Sequence, residues 1–269
     1  MKTRIATSLW AALVVASVSI AGYAQVAPLG NAERAANLYG RQLVTSDNQQ
    51  IGRVENILVD LESEHILFVV VQSGRGNVAV PPQVVGQTTG NTVHLNVTKQ
   101  KLEGGPQFTS SQDPAQASYV YRVYQYFGQN AWWQGSTAPD QGSFHNVHRL
   151  NQLIGMDVQN VNNQPIGKIS NVVVDMPHGR LLYVVFAPNS NMNLGNNLYA
   201  MPADAFTLSS DRSHLVTGID QQKLAGAPHF DKNSWPNVTD ANFASQIYQY
   251  YGKQAYFNSG SSNYQPTGR

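Results

Sequence analysis

The chain of 269 residues contains no cysteine. That absence excludes disulfide stapling, lipid attachment through an N-terminal cysteine and any thiol chemistry. Charge is also scarce. Asp, Glu, Lys and Arg make up 12% of the chain, with no run of Lys or Arg, so there is no electrostatic footprint for nucleic acid. Three catalytic or nucleotide-binding signatures are missing as well: the nucleophile elbow Gly-x-Ser-x-Gly, the phosphate-cradling Gly-x-x-x-x-Gly-Lys-Ser/Thr and the dinucleotide fingerprint. His145-x-x-His148 has metal-like proximity, but a zinc site wants three or four ligands and no third lies nearby. His65, His94, His178, His214 and His229 are scattered. No cofactor, no metal and no enzymatic activity are therefore expected.

Long apolar runs are absent beyond the first two dozen residues. There, Lys2 and Arg4 precede an apolar stretch from Leu9 to Ile20, and Gly22-Tyr23-Ala24 supplies small residues before Gln25. This pattern predicts a signal peptide over residues 1–24, since the stretch falls short of the roughly 20 apolar residues that a spanning helix needs. Without Lys2 and Arg4, 15 basic residues stand against 16 acidic ones. The expectation is a near-neutral mature chain exported across the inner membrane, with the periplasm of a Gram-negative bacterium as its destination.

What the chain has in plenty is self-similarity. Leu38-Tyr39-Gly40 is answered by Leu153-Ile154-Gly155, and Gln50-Ile51-Gly52-Arg53-Val54 by Pro165-Ile166-Gly167-Lys168-Ile169. Asn56-Ile57-Leu58-Val59-Asp60 is answered by Asn171-Val172-Val173-Val174-Asp175. All these pairs share one offset (40 to 155, 52 to 167, 60 to 175). Val80-Pro81 then matches Met201-Pro202 at a larger offset, which places an added loop near Asn189 to Asn197 in the second copy. The pairing continues through Lys101-Leu102 with Lys223-Leu224 and Tyr124-Gln125-Tyr126 with Tyr248-Gln249-Tyr250. The organisation expected is a first repeat over 36–134, a linker over 135–150, a second repeat over 151–258 and a disordered tail over 259–269.

Within each copy, Gly52 to Asp60 and Ile66 to Val71 read as β-strands, one with alternating and one with continuous apolar residues. Val78 to Val80 and Thr92 to Leu95 read as shorter strands, and Pro177-His178-Gly179 as a tight turn. Each copy closes with a helix. Asp113-Pro114 offers a cap for the first, with Ala117, Val120, Tyr121, Tyr124 and Phe127 on one face and Gly128 as the stop. Thr239 or Asp240 caps the second, with Ala244, Ile247, Tyr248 and Tyr251 on its face and Gly252 at its end.

This order resembles the PRC-barrel domain, over about 70 residues of each copy. Its elements are a leading Leu-x-Gly, a polar turn into Ile-Gly-Arg/Lys-Val/Ile, an Asn-containing strand ending in Asp, a hydrophobic strand and a later Val-Pro or Met-Pro. The resemblance implies a mainly β fold with some helix: two small antiparallel β-barrels, each followed by an aromatic helix. Members of the family include the H subunit of photosynthetic reaction centres and a ribosome maturation factor. The resemblance implies an adaptor that docks on larger assemblies or stays close to membranes, with no shared catalytic site to carry over.

The glycines at 40, 155, 52 and 167 read as backbone devices, Asp60 and Asp175 as acceptors of turn N–H groups, and Asn56 and Asn171 as bridges at a bulge. The residues expected to meet a partner are Tyr119, Tyr126, Trp132 and Trp133 in the first copy, with Tyr250, Tyr256 and Phe257 in the second. Exposed Tyr and Trp serve protein contacts and sugar stacking alike, whereas buried ones would glue the helices to the repeats. A non-enzymatic periplasmic adaptor or scaffold binding a protein partner is the leading expectation, with the two repeats paired as an intramolecular pseudo-dimer. The alternative is a cell-wall or glycan-binding module with Trp132 or Trp133 in an exposed groove.

Overall fold

The computed structural model describes residues 29, 32–109, 111–133, 144 and 146–257. The proposed signal peptide, the tail and most of the linker lie outside them. The first repeat runs β1 (Ala32–Arg34), β2 (Gln42–Val44), β3 (Gln50–Asp60), β4 (His65–Ser73), β5 (Gly76–Val80), β6 (Val85–Thr89), β7 (Thr92–Leu95), α1 (Lys99–Glu103) and α2 (Ala117–Phe127). The second runs β8 (Val147–Arg149), α3 (Leu150–Leu153), β9 (Asp157–Asn160), β10 (Pro165–Asp175), β11 (Arg180–Pro188), β12 (Asn197–Met201), β13 (Thr207–Leu208), β14 (Leu215–Thr217), α4 (Gln221–Ala225), β15 (His229–Asp231) and α5 (Ala241–Tyr250). The first strand of the second copy thus starts at Val147, inside the stretch read as linker, and that of the first copy at Ala32.

Among the described residues the strands of both copies join one ladder, ordered β13-β14-β9-β10-β11-β4-β3-β2-β7-β6. Within the first copy the path β5-β4-β3-β2-β7-β6 has β5 and β6 at its ends, and no ladder joins those two. The fold is mainly β with helices, as the sequence pattern implies, and the sheet is not closed. β3 and β4 are buried on both faces, which explains the continuous apolar run. Ile57, Val59, Ile66 and Val69 face a core shared with Val172, Val174, Leu181 and Val184 of the second copy. Leu58, Leu67, Phe68 and Val70 face α2 instead. β10 and β11 repeat the pattern, with Val173, Leu182, Tyr183 and Val185 packed under α5.

The two copies are joined by a reciprocal exchange of their leading strands. β1 of the first copy pairs with β10 of the second, Ala32 opposite Asp175 and Arg34 opposite Val173. β8 of the second copy pairs with β3 of the first, Val147 opposite Asp60 and Arg149 opposite Leu58. These registers are the same register (32 to 147, 60 to 175). The seam itself is β4 against β11, with His65 opposite Arg180, which are also equivalent positions. Ile66 N–H donates to Gly179 O at 2.8 Å and Leu181 N–H donates to Glu64 O at 2.9 Å, the same bond seen from each side. Such self-complementarity is what an isologous dimer has, here within one chain.

Local chemistry accounts for the details. Bulges interrupt β3 against β4 between Val54 and Asn56, and β10 against β11 between Ile169 and Asn171. At each, the Asn Oδ1 accepts the next residue's backbone N–H at 2.9 Å, as expected for a polar residue at a bulge. A Cβ on Gly52 would stand 1.9 Å from Gln72 O, and one on Gly167 would stand 2.3 Å from Ala187 O, so the strand can approach only where the side chain is missing. Asp113 does not cap α2. Its Oδ1 accepts from Ala115 N in the preceding turn, and the helix begins after Gln116 without a side-chain cap. Asp240 does cap α5, accepting from Asn242 N at 2.9 Å.

Candidate functional site

The polar centre of the molecule lies on the seam, where the exchange buries charged groups that neither copy could bury alone. Arg180 and His65 face each other because a residue near a twofold axis meets its own counterpart. His65 Nδ1 lies 2.7 Å from Ser63 O, so the neutral ring carries its proton there and Nε2 accepts from Arg180 Nη1 at 2.9 Å. Burial first, and then the Arg180 charge, holds the His65 pKa well below the usual imidazole range. Glu64 Oε2 takes Arg180 Nη2 at 3.3 Å, while Oε1 takes Lys253 Nζ at 3.3 Å. Lys253 follows α5 and also pairs with Asp204. Arg180 and Glu64 form the buried pair, and Lys253 and Asp204 extend it outward to the surface.

Glu64 sits at φ +58°, and its counterpart Gly179 at φ +64°. This left-handed turn costs a side-chain-bearing residue about 1 kcal/mol that glycine escapes. The copy that carries the cost is the one supplying the buried carboxylate. Around it, Asp60 Oδ2 accepts from Ser63 N, the turn role expected of it. Asp175 Oδ2 accepts from the Tyr256 hydroxyl at 2.7 Å and lies 2.8 Å from His178 Nδ1. That bond raises the His178 pKa, while burial and then the Asp175 charge push the Tyr256 hydroxyl well above its ordinary range.

The aromatic residues singled out in the sequence close over this seam and over the helices. Trp132 lies flat on His65, ring centroids 4.3 Å apart and planes 8° apart. Tyr256, its counterpart, lies under the Arg180 guanidinium at 5.0 Å. Trp133 is buried against Tyr124 and Phe144, and Phe257 packs on Tyr248. Tyr119 was expected off the core face of α2. It is 3% exposed, wedged against Phe68 and Phe108 with its hydroxyl donating to Gln107 O, and it is Tyr121 that faces out. Tyr126 and Tyr250 are half-buried and do identical work: each hydroxyl donates to the carbonyl of Lys101 or Lys223, and each ring lies beneath that lysine's ammonium. Trp132, Tyr256 and Phe257 are half-buried too.

Sequence reasoning did not single out Glu64, Arg180, Lys253 or Asp204. One signal was available: His65 and Arg180 share the repeat offset, so a pseudo-twofold pairing brings the two together at the axis. His145 lies outside the described residues, and His148 is buried with Nε2 3.0 Å from Asn146 Oδ1.

The sequence pattern of the PRC-barrel domain matches residues 30–102 and again 145–215, just over half of the chain. The chain belongs to the PRC-barrel domain family. Both PRC-barrel matches start at the exchanged strands, so β1 and β8 are part of the domain, although in this tandem each completes the other copy's sheet. A search of curated proteins finds no match. Among the described residues no helix is long and apolar enough to cross a membrane, which says nothing about crossing by strands.

Proposed function

We propose that this tandem PRC-barrel protein is a non-enzymatic adaptor or scaffold that is exported to the periplasm and docks a protein partner. The observation that carries this reading is that its buried chemistry is spent on holding the copies together. Both nitrogens of His65 and both carboxylate oxygens of Glu64 are engaged, and Trp132 covers the imidazole. A nucleophile or general base needs a group that a substrate can reach.

What remains for a partner is a feature displayed twice, the end of α2 and the end of α5. Each offers a half-buried tyrosine roofed by a lysine, beside an exposed glutamine, Gln125 or Gln249. Beside Tyr250 a shallow groove of about 520 Å³ is lined by Phe243, Pro228 and His229. Aromatic side chains with a polar tip are enriched at such contacts.

A photo-crosslinking amino acid at Gln125 or Gln249, in the full chain and its native host, tests the proposal. A dominant protein adduct in the periplasmic fraction is the expected result. Recovery of cell-wall material alone, or of no adduct from either position, would sink the reading.

A further inference from the structure

The duplication has produced two versions of one cleft, and they differ in a way that points to a ligand. In each copy the exchanged strand, the turn after it and the hairpin that follows the Val-Pro or Met-Pro step enclose a space on the surface. In one version the walls come from β1, β6 and the segment before α5, and the cleft measures about 730 Å³. In the other they come from β8, β13 and the segment before α2, and only about 150 Å³ is left.

One contributor to the difference is a turn position. The β6–β7 hairpin carries Gly90 at φ +58°, and the β13–β14 hairpin carries Arg212 at φ +60° (90 to 212, the offset that also relates Val93 to Leu215). Arg212 projects into its cleft and donates from Nη2 to Val147 O at 3.1 Å. Gly90 has no side chain to do so, and a Cβ built on it would meet nothing within 4 Å.

The open cleft is polar and carries an excess of positive charge. Arg41 is neutralised by Glu33 at 2.6 Å, and the Thr88 hydroxyl donates to the other Glu33 oxygen at 2.9 Å. Arg34 stands differently: its guanidinium lies 4.8 Å over the Trp235 ring and faces no carboxylate among the described residues. With the Asn37 amide oriented to place its oxygen toward Arg34, that oxygen accepts from Nε at 3.2 Å and Nη2 at 3.3 Å. Gln87 and Asn237 add amides to the walls. At Trp235 the other copy has Asp113 (113 to 235, by the same offset), so the stacked indole belongs to the open version alone.

We infer that this cleft binds a small acidic saccharide, its carboxylate held by Arg34 and its hydroxyls by the amide- and hydroxyl-bearing walls. The volume is that of a small-molecule site, and the guanidinium N–H groups that Asn37 leaves free, on a planar head fixed by Asn37 and Trp235, favour a carboxylate. A lipid would need mostly apolar walls, whereas Arg34, Asn37, Arg41, Gln87, Thr88 and Asn237 make much of this lining polar. The inference does not depend on the adaptor reading, since neither Gln125 nor Gln249 lines the cleft.

The test is calorimetric titration of the mature protein with D-glucuronate and with N-acetylmuramic acid. Glucose and N-acetylglucosamine serve as uncharged counterparts. Saturable binding of an acid is expected, at least tenfold weaker for its uncharged counterpart and for Arg34→Gln. Gly90→Arg should abolish it by importing the plug, at a backbone conformation that Arg212 already adopts, while Arg212→Gly should leave it unchanged. Circular dichroism melting confirms folding of each variant, and Arg34→Gln decides alone should Gly90→Arg fail to fold. Binding of neither acid, equal binding of the uncharged sugars, or undiminished binding in a folded Gly90→Arg or Arg34→Gln variant would overturn the inference.

Discussion

At the scale of single residues, the seam shows how the same position can be asked for different things in two copies. His65 and Arg180 descend from one repeat position, as do Glu64 and Gly179, and their differences turn a symmetric contact into an ion pair. Removing one member of a buried pair strands the other, which typically costs about 3–5 kcal/mol. Arg180→Met should therefore lower the unfolding free energy by about 3 kcal/mol in urea denaturation. Lys253→Met should cost less, because that side chain is 27% exposed and water screens it. A second residue-scale prediction concerns pH. Burial, and then the Arg212 charge, lowers the His148 pKa from 6.5 to about 4. Between those values the unfolded chain takes up a proton that the folded chain refuses. The stability from neutral His148 is thus complete above pH 6.5 and is lost as the pH falls toward 4. At about 1.4 kcal/mol per pH unit, His148→Gln should lose about 2 kcal/mol less than the parent protein between pH 7 and 4.5. Urea melts at the two pH values check this, with the carboxylate contributions common to both proteins.

At the scale of elements, strands and most of the helix faces were legible in the sequence, as was the Asp240 cap of α5, while the start of α2 was not. Thr92–Leu95 is the strand expected, and the run Ile66–Val71 sits inside β4, because burial on both faces leaves a continuous apolar stretch. The asparagine bulges could also be read, since a polar side chain within an apolar strand has few other uses. The face of α2 was legible in Ala117, Val120, Tyr124 and Phe127, which are buried, but not in its two flanking tyrosines. Tyr119 and Tyr121 both suit a helix, and only the position of Phe68 and Phe108 on the opposing layer decides that Tyr119 turns in and Tyr121 lies 37% exposed. The cap of α2 failed for a similar reason: Asp113-Pro114 has the right chemistry, but Asp113 serves a turn three residues before the N-cap position, Gln116. At the glycines, the element-scale prediction is a contrast. Gly52→Ala forces a methyl into Gln72 O and should cost about 3 kcal/mol or more by parting β3 from β4, as should Gly167→Ala by parting β10 from β11. Gly40→Ala meets no atom within 4 Å and should cost only about 1 kcal/mol for its φ of +72°. Thermal melts of the three variants rank the two causes, steric contact and backbone strain.

At the scale of the whole molecule, the repeat made a pseudo-dimer legible but not its topology. Which copy's leading strand completes which sheet is a non-local choice, and Ala32–Arg34 and Val147–Arg149 are too short and too polar to advertise a partner. The consequence is that neither half is a finished domain. A first copy alone would lack β8 along β3, expose Val59 and Ile66 on the shared core face, and leave Glu64 and His65 without Arg180. Buried apolar surface returned to water costs about 25 cal/mol per Å², and an unpaired strand edge invites aggregation. Residues 29–133 and 144–257 produced separately should each be poorly folded, with weak near-ultraviolet dichroism. Produced together as two chains, they should form a heterodimer, because the exchange needs no covalent link between the copies once both are present. Size-exclusion chromatography with light scattering distinguishes the cases. Two halves that each fold as stable monomers would show that the exchange is dispensable. A one-to-one complex that dissociates and unfolds in a single urea transition would show that the seam, with its exchanged strands and its buried ion pair, is where the stability of the tandem resides.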